Sequence, residues 1–248
     1  MIKRGELSIY VIMPFGGLLM IEFKNISKKY SANIIALNDI NFLIKKGEFA
    51  FLVGPSGAGK STILKLILKE ENPSEGSIIV NDYDVVNMKP AAIPYYRRRI
   101  GMVFQDYKLL PDKTVYDNVA FALIVTGAHD NVIRKRVPMV LSLVGLSDKA
   151  YRYPRELSGG EQQRTAIARA LVNKPTIFIA DEPTGNLDPD TAWGIIDLIS
   201  EINRRGTTVL VATHAKDIVT GMRKRVISID KGNVIRDQTR GVYSNVIK

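Results

Sequence analysis

The sequence predicts an α/β fold with a β-rich opening, a mostly parallel sheet and an inserted helical lobe. The five residues 49–53 are all apolar without alternation, which is typical of a strand buried on both faces of a parallel sheet. A glycine-rich turn and a helix-spaced apolar pattern follow that strand. Near the C-terminal end, helix and strand patterns alternate again, so we expect one α/β module with a helical insertion.

The composition excludes several classes of protein. The chain has 248 residues, of which 46% are hydrophobic and 24% charged, and it contains no cysteine. These values argue against collagen-like, disordered and disulfide-stapled proteins, and they exclude thiolate metal sites and thiol nucleophiles. The net charge of +10 favours an anionic partner such as phosphate groups, nucleic acid or an acidic membrane surface, without choosing among them.

The N-terminal segment 1–19 has a different pattern from the rest of the chain. Two basic residues precede an apolar run over 9–21, but Pro14 and two glycines interrupt it, so it falls short of the roughly 20 apolar residues of a membrane span. A signal peptide, a membrane-touching arm and a leader preceding the true start codon are the three interpretations. We favour the leader, because Met20 opens a strand-like sequence of its own.

The elements after residue 20 follow in a regular order. β signals dominate up to residue 53, a helix is expected at 61–69 and a strand at 100–104. Residues 107–157 contain two helical patterns and few β signals, which predicts the inserted lobe. The remaining predicted elements are helices at 115–125, 132–144, 160–172 and 192–204 and strands at 176–180 and 208–212.

These patterns predict a simple domain organisation. One module extends over 20–239, and its core is formed by 20–106 together with 158–239. The last nine residues, 240–248, are expected to form a tail.

Residues 54–61 (Gly-Pro-Ser-Gly-Ala-Gly-Lys-Ser) match the phosphate-binding pattern G-x-x-x-x-G-K-[ST] in full, between a predicted strand and a predicted helix. The glycines let backbone N–H groups surround phosphate oxygens, Lys60 can reach the β and γ phosphates, and the Ser61 hydroxyl suits Mg²⁺. A turn that only connects strand to helix would not need all eight positions. The residues expected to bind the phosphates here are Gly54, Pro55, Ser56, Gly57, Ala58, Gly59, Lys60, Ser61 and Thr62.

Two carboxylates follow the predicted strand at 176–180. The carboxyl ends of strands in open α/β sheets are where ligands bind, so Asp181 and Glu182 are candidates for the same site. We expect Asp181 to hold Mg²⁺, directly or through water, and Glu182 to polarise the water that attacks the γ-phosphate. Adjacent acids at a strand end are otherwise common as solvated turn residues; the phosphate loop favours the functional interpretation.

Residues 157–164 (Leu-Ser-Gly-Gly-Glu-Gln-Gln-Arg) resemble the signature motif of the ATP-binding-cassette (ABC) ATPases. Ser158 followed by Glu161 is a capping box, so the serine hydroxyl and the donors of Gly159 and Gly160 stand at the positive start of a helix. This is a second anion site. One chain has no obvious need for two γ-phosphate sites, so the simplest interpretation is a head-to-tail dimer; the alternative is a plain N-cap, which the paired glycines disfavour.

The resemblance implies a P-loop NTPase (RecA-like) core with an antiparallel β subdomain and an α-helical subdomain. It implies that Gln105 senses Mg²⁺ and the attacking water, and that His214 contacts the γ-phosphate. The segment 186–188, including Asp188, would communicate across the dimer, and Tyr30 would stack on adenine.

Within the family, segments 97–106, 109–120 and 181–188 are similar to the FtsE family of cell-division ATPases. That resemblance implies a peripheral protein at the cytoplasmic face of the cell membrane and the division site, with an FtsX-like integral membrane partner and an ATP-bound homodimer. The partner would control cell-wall hydrolysis. The alternative is the ATPase of a lipoprotein-releasing or macrolide-export-type transporter. No specific nucleic acid is expected, because the chain has no long insertion and no zinc-binding cysteines.

Three basic clusters, at 97–99, 134–136 and 223–225, have two open interpretations. They are solvated faces, or they attract anionic lipid, worth about 1 kcal/mol for each residue held near the surface. The sequence does not distinguish between them.

Overall fold

The structure is a computed structural model that describes residues 19–31, 34–241 and 243. The predicted extension lies outside the described residues except for Leu19, as does most of the predicted tail. The strands are β1 (Leu19–Ser31), β2 (Ile34–Lys45), β3 (Phe49–Val53), β4 (Glu75–Val80), β5 (Tyr83–Asp84), β6 (Ile100–Val103), β7 (Ile177–Asp181), β8 (Thr208–Thr213), β9 (Arg225–Asp230) and β10 (Asn233–Gln238). The helices are α1 (Lys60–Ile67), α2 (Ile93–Arg97), α3 (Val115–Ile124), α4 (Asp130–Leu143), α5 (Gly159–Leu171), α6 (Pro189–Arg204) and α7 (Lys216–Met222).

The strands form two sheets of different kind. A four-stranded antiparallel sheet has the order β2-β1-β4-β5, and a six-stranded sheet has the order β10-β9-β3-β8-β7-β6. In the larger sheet the neighbours from β9 to β6 are parallel, and only β10 pairs antiparallel with β9. The fold class predicted from the sequence is confirmed, including the β-rich opening.

The register of the parallel strands brings their carboxyl ends to one edge. Val53 at the end of β3 is paired with Thr213 at the end of β8, and Asp181 at the end of β7 is paired with Ala212. Ligands of open α/β sheets bind beyond such an edge. The phosphate loop, the two carboxylates and His214 therefore start from neighbouring strand ends.

The large sheet separates two apolar layers. Alternate residues of β3 point to opposite sides: Phe51 belongs to the layer that also contains residues of α5 and α6, and Leu52 belongs to the layer with α1 and the antiparallel sheet. Every residue of β3 is buried. Burial on both faces explains why this strand carries no polar alternation.

The segment between β6 and α5 contains α3, α4 and short 3-10 turns, and none of its residues forms a strand. Helix α3 packs against both α4 and α5. The lobe limits at residues 107 and 157 stay a prediction. No helix in the described part of the chain is long and apolar enough to cross a membrane.

Two predicted element boundaries differ from the structure in a way that matters for the site. Asp181 is the last residue of β7 rather than the first residue after it. Helix α6 begins at Pro189, three residues earlier than its apolar pattern indicates, because the Asp188 side chain caps it by accepting from the Thr191 N–H. Apolar periodicity does not detect a first turn made of polar residues. A proline is favourable at the first helical position.

Two of the basic clusters supply an arginine to internal contacts. The Arg97 guanidinium donates to the carbonyl oxygens of Leu68 (2.8 Å) and Lys69 (3.1 Å) beyond α1. Arg225 pairs with Glu48 and Asp237 at 3.1 and 2.6 Å. These two arginines therefore connect elements of the fold.

Candidate nucleotide-binding site

The phosphate loop joins β3 to α1 through backbone conformations that favour glycine. Gly59 has φ +111°, and a Cβ atom there would lie 2.7 Å from Leu37 Cδ2 and 2.9 Å from the Ala36 oxygen. Gly57 also has a positive φ, of +77°. Any larger residue at 59 would be strained and would clash, whereas glycine allows the tight turn that places residues 55–62 around one cavity. The helix α1 starts immediately afterwards, with its positive end toward that space.

The side chain of Lys60 is buried and is held by the loop itself. Its Nζ donates to the carbonyl oxygens of Gly54 (2.7 Å) and Pro55 (3.2 Å). It also lies 3.8 Å from Glu182 Oε1. A buried ammonium needs such partners to offset its lost hydration. The same partners keep the cation beside the cavity that the loop lines.

Asp181 and Ser61 approach each other across the end of the sheet. Ser61 Oγ donates to Asp181 Oδ2 at 3.4 Å, a long hydrogen bond. Burial, and secondly the charge of neighbouring Glu182, raise the pKa of Asp181 above its ordinary value. The carboxylate is thus held in a setting that disfavours its charge, which a bound cation would reverse.

The donor set fits Mg²⁺. Ser61, Asp181 and Gln105 present oxygen atoms and line the same cavity. Mg²⁺ is commonly held by one or two protein carboxylates together with substrate phosphates and water.

Glu182 is the most constrained acid of the site. Its side chain is 10% exposed, and Oε1 lies 2.8 Å from His214 Nδ1. The His214 N–H donates to Oε2 at 3.3 Å, and the Glu182 N–H donates to the Ala212 oxygen at 2.8 Å. Its φ of +47° is uncommon for a residue with a side chain. Lys60 and His214 thus share one oxygen of this carboxylate.

Gln105 follows β6 in an exposed loop and lines two cavities. One is the phosphate-loop cavity with Lys60, Glu182 and His214. The other is lined by residues of α1, by Phe104 and by Asn186. Gln105 therefore stands between the phosphate loop and the start of the helical segment.

Six predicted site residues do not line the phosphate-loop cavity of their own chain: Tyr30, Gly54, Ser158, Gly159, Gly160 and Asp188. Ser158 and Glu161 form the predicted capping box, with the Ser158 N–H donating to Glu161 at 2.9 Å and the Glu161 N–H to Ser158 Oγ at 3.3 Å. A Cβ atom on Gly160 would lie 2.5 Å from Thr191, so α5 and α6 start close together. The signature residues and Asp188 thus belong to a second region of the surface.

Tyr30 lies near the phosphate loop from the side of β1. Its hydroxyl faces Glu71 and Thr62, and burial together with Glu71 raises its pKa. The Lys28 ammonium lies 5.0 Å from the ring centroid, and the residue is half exposed. One ring face is therefore covered by a cation while much of the ring stays accessible.

A family model described as "ABC transporter" matches residues 37–185. The cell division ATP-binding protein FtsE of Bacillus subtilis is 55% identical over 226 residues, which are 91% of this chain and 99% of that protein. FtsE of Escherichia coli K12 is 50% identical over 215 residues, 87% of this chain and 97% of that protein. The chain belongs to the FtsE family of ABC ATPases.

Solved structures of the wider family agree with this membership. A dimeric structure of MJ0796, a bacterial ABC transporter cassette, has a TM-score of 0.81 and 37% identity, covering 90% of this chain and 100% of that chain. A dimeric post-hydrolysis state of the same cassette, bound to ADP and Pi, has a TM-score of 0.80 and 36% identity, with the same coverage.

Two residues that bind the backbone after Gln105 were not predicted from the sequence. Asn118 is fully buried and makes four hydrogen bonds to the backbone of residues 110–114. Arg169 donates to the backbone just after Gln105. An asparagine among the apolar positions of α3 was a usable signal, whereas nothing in the sequence separates Arg169 from other basic residues.

Proposed function

We propose that this chain binds Mg²⁺-ATP and hydrolyses the β–γ phosphate bond. The observation that carries the proposal is the meeting of Lys60, Ser61, Asp181 and Glu182 at the carboxyl edge of one parallel sheet. Lysine, hydroxyl and carboxylate at that spacing are what binding and activating a triphosphate requires.

Each residue has a separate role in this proposal. The loop N–H groups of residues 54–62 and Lys60 bind the phosphates, and Tyr30 stacks on the adenine. Ser61, Asp181 and Gln105 hold Mg²⁺, which neutralises charge on the β and γ phosphates when bound. Glu182 accepts a proton from the attacking water, and His214 contacts the γ-phosphate.

The contacts of Glu182 support a change of partners when ATP binds. Lys60 and His214 both approach Glu182 Oε1, at 3.8 and 2.8 Å. A γ-phosphate offers these two cationic or hydrogen-bonding groups an alternative set of anionic oxygens. Glu182 then loses two partners and becomes available to the water.

We further propose a head-to-tail dimer in the ATP-bound state. Ser158, Gly159 and Gly160 form an N-terminal helix start that does not line the cavity of its own phosphate loop. The dimers of the MJ0796 cassette support this assembly. In it, the signature residues and Asp188 of one copy close on the ATP of the other.

In the cell, we propose that the chain is the ATPase of an FtsEX-type complex that acts in division. The relatives at 50–55% identity named for cell division support this assignment. An FtsX-like integral membrane protein would receive the movement of the helical segment and control cell-wall hydrolysis, with the chain at the cytoplasmic face of the membrane and the division site. No specific nucleic acid partner is proposed.

Replacing Glu182 with Gln tests both the chemistry and the partner. The steady-state rate of phosphate release should fall about 10²- to 10⁴-fold, because a general base is lost, while ATP affinity is retained. A wild-type rate in this variant would refute the assignment of the base.

The same E182Q variant, with ATP, should capture an FtsX-like membrane protein from solubilised membranes, identified by mass spectrometry. Lys60→Ala is the control, because it should bind ATP poorly and capture less. Recovery of a lipoprotein-release or drug-export permease would overturn the division role and leave the ATPase proposal intact.

A further inference from the structure

The loop that carries Gln105, residues 104–110, is fixed to the helical segments at its far end. The Leu110 N–H donates to Asn118 Oδ1 at 2.8 Å, and Asn118 Nδ2 donates back to the Leu110 oxygen at 3.1 Å. Asn118 is fully buried in α3. This end of the Gln105 loop therefore belongs to the α3 side of the molecule.

The middle of the Gln105 loop is held by Arg169 of α5. One guanidinium nitrogen donates to the Lys108 oxygen at 2.5 Å and another to the Tyr107 oxygen at 2.8 Å. Burial lowers the pKa of the Arg169 guanidinium. Two charge-assisted hydrogen bonds from one planar group fix two successive carbonyl groups at once.

The backbone at those two carbonyl groups is in an uncommon conformation. Tyr107 and Lys108 have φ values of +57° and +48°, so two successive residues with side chains are left-handed. Such residues persist where their surroundings hold them, and they cluster at functional sites. Arg169 therefore binds the carbonyl groups of the two left-handed residues of this loop, whose strained backbone conformation is stabilised by such a contact.

The same helix contacts the loop a second time. A Cβ atom on Gly159 would lie 3.4 Å from the Tyr107 hydroxyl, so that hydroxyl lies close to the first residue of α5. Tyr107 is otherwise half-buried against the apolar layer of α5 and α6. Helix α5, whose start carries the signature residues, therefore touches the Gln105 loop at both its first and its last turns.

We propose that Arg169 is a positioning residue of the ATPase. Its guanidinium holds residues 107–108 in their left-handed conformation, so that Gln105 faces the phosphate-loop cavity and moves together with the signature helix. The inference rests on the proposed function, because it acts through Gln105. It assigns the hydrogen bonds between the Gln105 loop and α5 to one side chain in the last turn of that helix.

Arg169→Lys is the direct test, because one ammonium group cannot reproduce the fork of two hydrogen bonds. The kcat for ATP should fall about 10- to 100-fold, the scale that a small misplacement of a catalytic group produces, while the Kd for ATP changes less than about twofold. A purely structural clamp would instead weaken binding and turnover together.

Arg97→Lys is the matched control. Arg97 also donates to two successive carbonyl groups, of Leu68 and Lys69, and Lys69 is also left-handed, with φ +54°. R97K should lose stability like R169K and keep its kcat. A kcat for R169K that equals that of R97K would overturn the inference.

A second variant keeps the test independent of folding losses. Glycine adopts the left-handed conformation without strain, so Lys108→Gly added to R169K should recover at least part of the lost kcat. No recovery, or an ATP affinity that falls in parallel with kcat, would refute the role of Arg169. Wild-type ATP hydrolysis, measured first, tests the proposed function separately from these differences.

Discussion

Asp181 and Glu182 are neighbours in the chain, yet their side chains have different surroundings, which supports the different roles proposed for them. Asp181 ends β7 beside Ser61, and burial raises its pKa. Glu182 turns away with a positive φ and meets His214 and Lys60. The difference comes from strand geometry, because successive residues leave a strand end in different directions.

The raised pKa of Asp181 predicts an effect on stability. Between the ordinary Asp pKa and the raised pKa of the folded state, the folded protein keeps the Asp181 proton while the unfolded chain has lost it. The free energy of unfolding therefore falls as pH rises through this range and stays lower above it. Asp181→Asn removes that cost, and the nucleotide-free protein should be more stable at pH 7.5 and nearly unchanged near pH 4. Denaturant unfolding at several pH values measures this difference.

A D181N variant that is less stable than wild type at pH 7.5 would contradict this prediction. It would mean that the hydrogen bond from Ser61 contributes more free energy than the burial of the Asp181 charge costs. Mg²⁺-dependent ATP binding should weaken in this variant, whichever way stability changes.

At the scale of elements, helix α3 is tied to the loop before it by one amide. Asn118 accepts from the Leu110 N–H and donates to the oxygens of Leu110, Lys113 and Thr114. Thr114 also caps the helix by accepting from the Asp117 N–H at 3.1 Å. The loop that begins near Gln105 therefore ends in a fixed helix start.

Asn118→Ala should lower the free energy of unfolding by about 2–4 kcal/mol, because several buried backbone groups lose their partner. Asn173→Ala is the matched control, since Asn173 Nδ2 donates to one carbonyl, of Ala122, at 3.0 Å, and its Oδ1 accepts a long hydrogen bond from the Thr126 hydroxyl at 3.5 Å. That control should cost about 1 kcal/mol. Equal losses in urea titrations of the two variants would contradict this account of the loop.

At the scale of the whole molecule, the predicted ATP-binding residues fall into two separate regions. The phosphate-loop cavity includes Lys60, Glu182 and His214, whereas Ser158 and Asp188 lie at the starts of α5 and α6. In the proposed head-to-tail pair, each region of one copy would face the complementary region of the other.

The dimer proposal predicts a nucleotide-dependent change in mass. E182Q should sediment as a dimer with ATP and as a smaller species without it. Adding Ser158→Arg places a bulky cation where the helix start should meet the γ-phosphate, so the double variant should bind ATP and stay undimerised. A dimer that forms equally well with S158R would refute the role of Ser158.

The fold class could be predicted from the amino-acid pattern alone, and the same pattern indicated the residues that we propose to react. The phosphate loop, the signature segment and the two acids are short contiguous patterns, so their residue types and spacing can be recognised in the sequence. The continuous apolar run of β3 has the same property, because burial on both faces leaves no room for polar alternation. Membership of the ABC family and of its FtsE branch follows from these segments and is confirmed.

The residues that bind those segments from distant parts of the chain became apparent from the folded structure. Arg169 reaches carbonyl groups about 60 positions earlier in the chain, and Glu182 meets Lys60 at the start of α1 and His214 just after β8. Arg97 and Arg225 likewise bind internal partners where the sequence left a charged face or a lipid contact open. Such pairings depend on strand register and helix packing, and a linear pattern carries no information on which distant groups become neighbours.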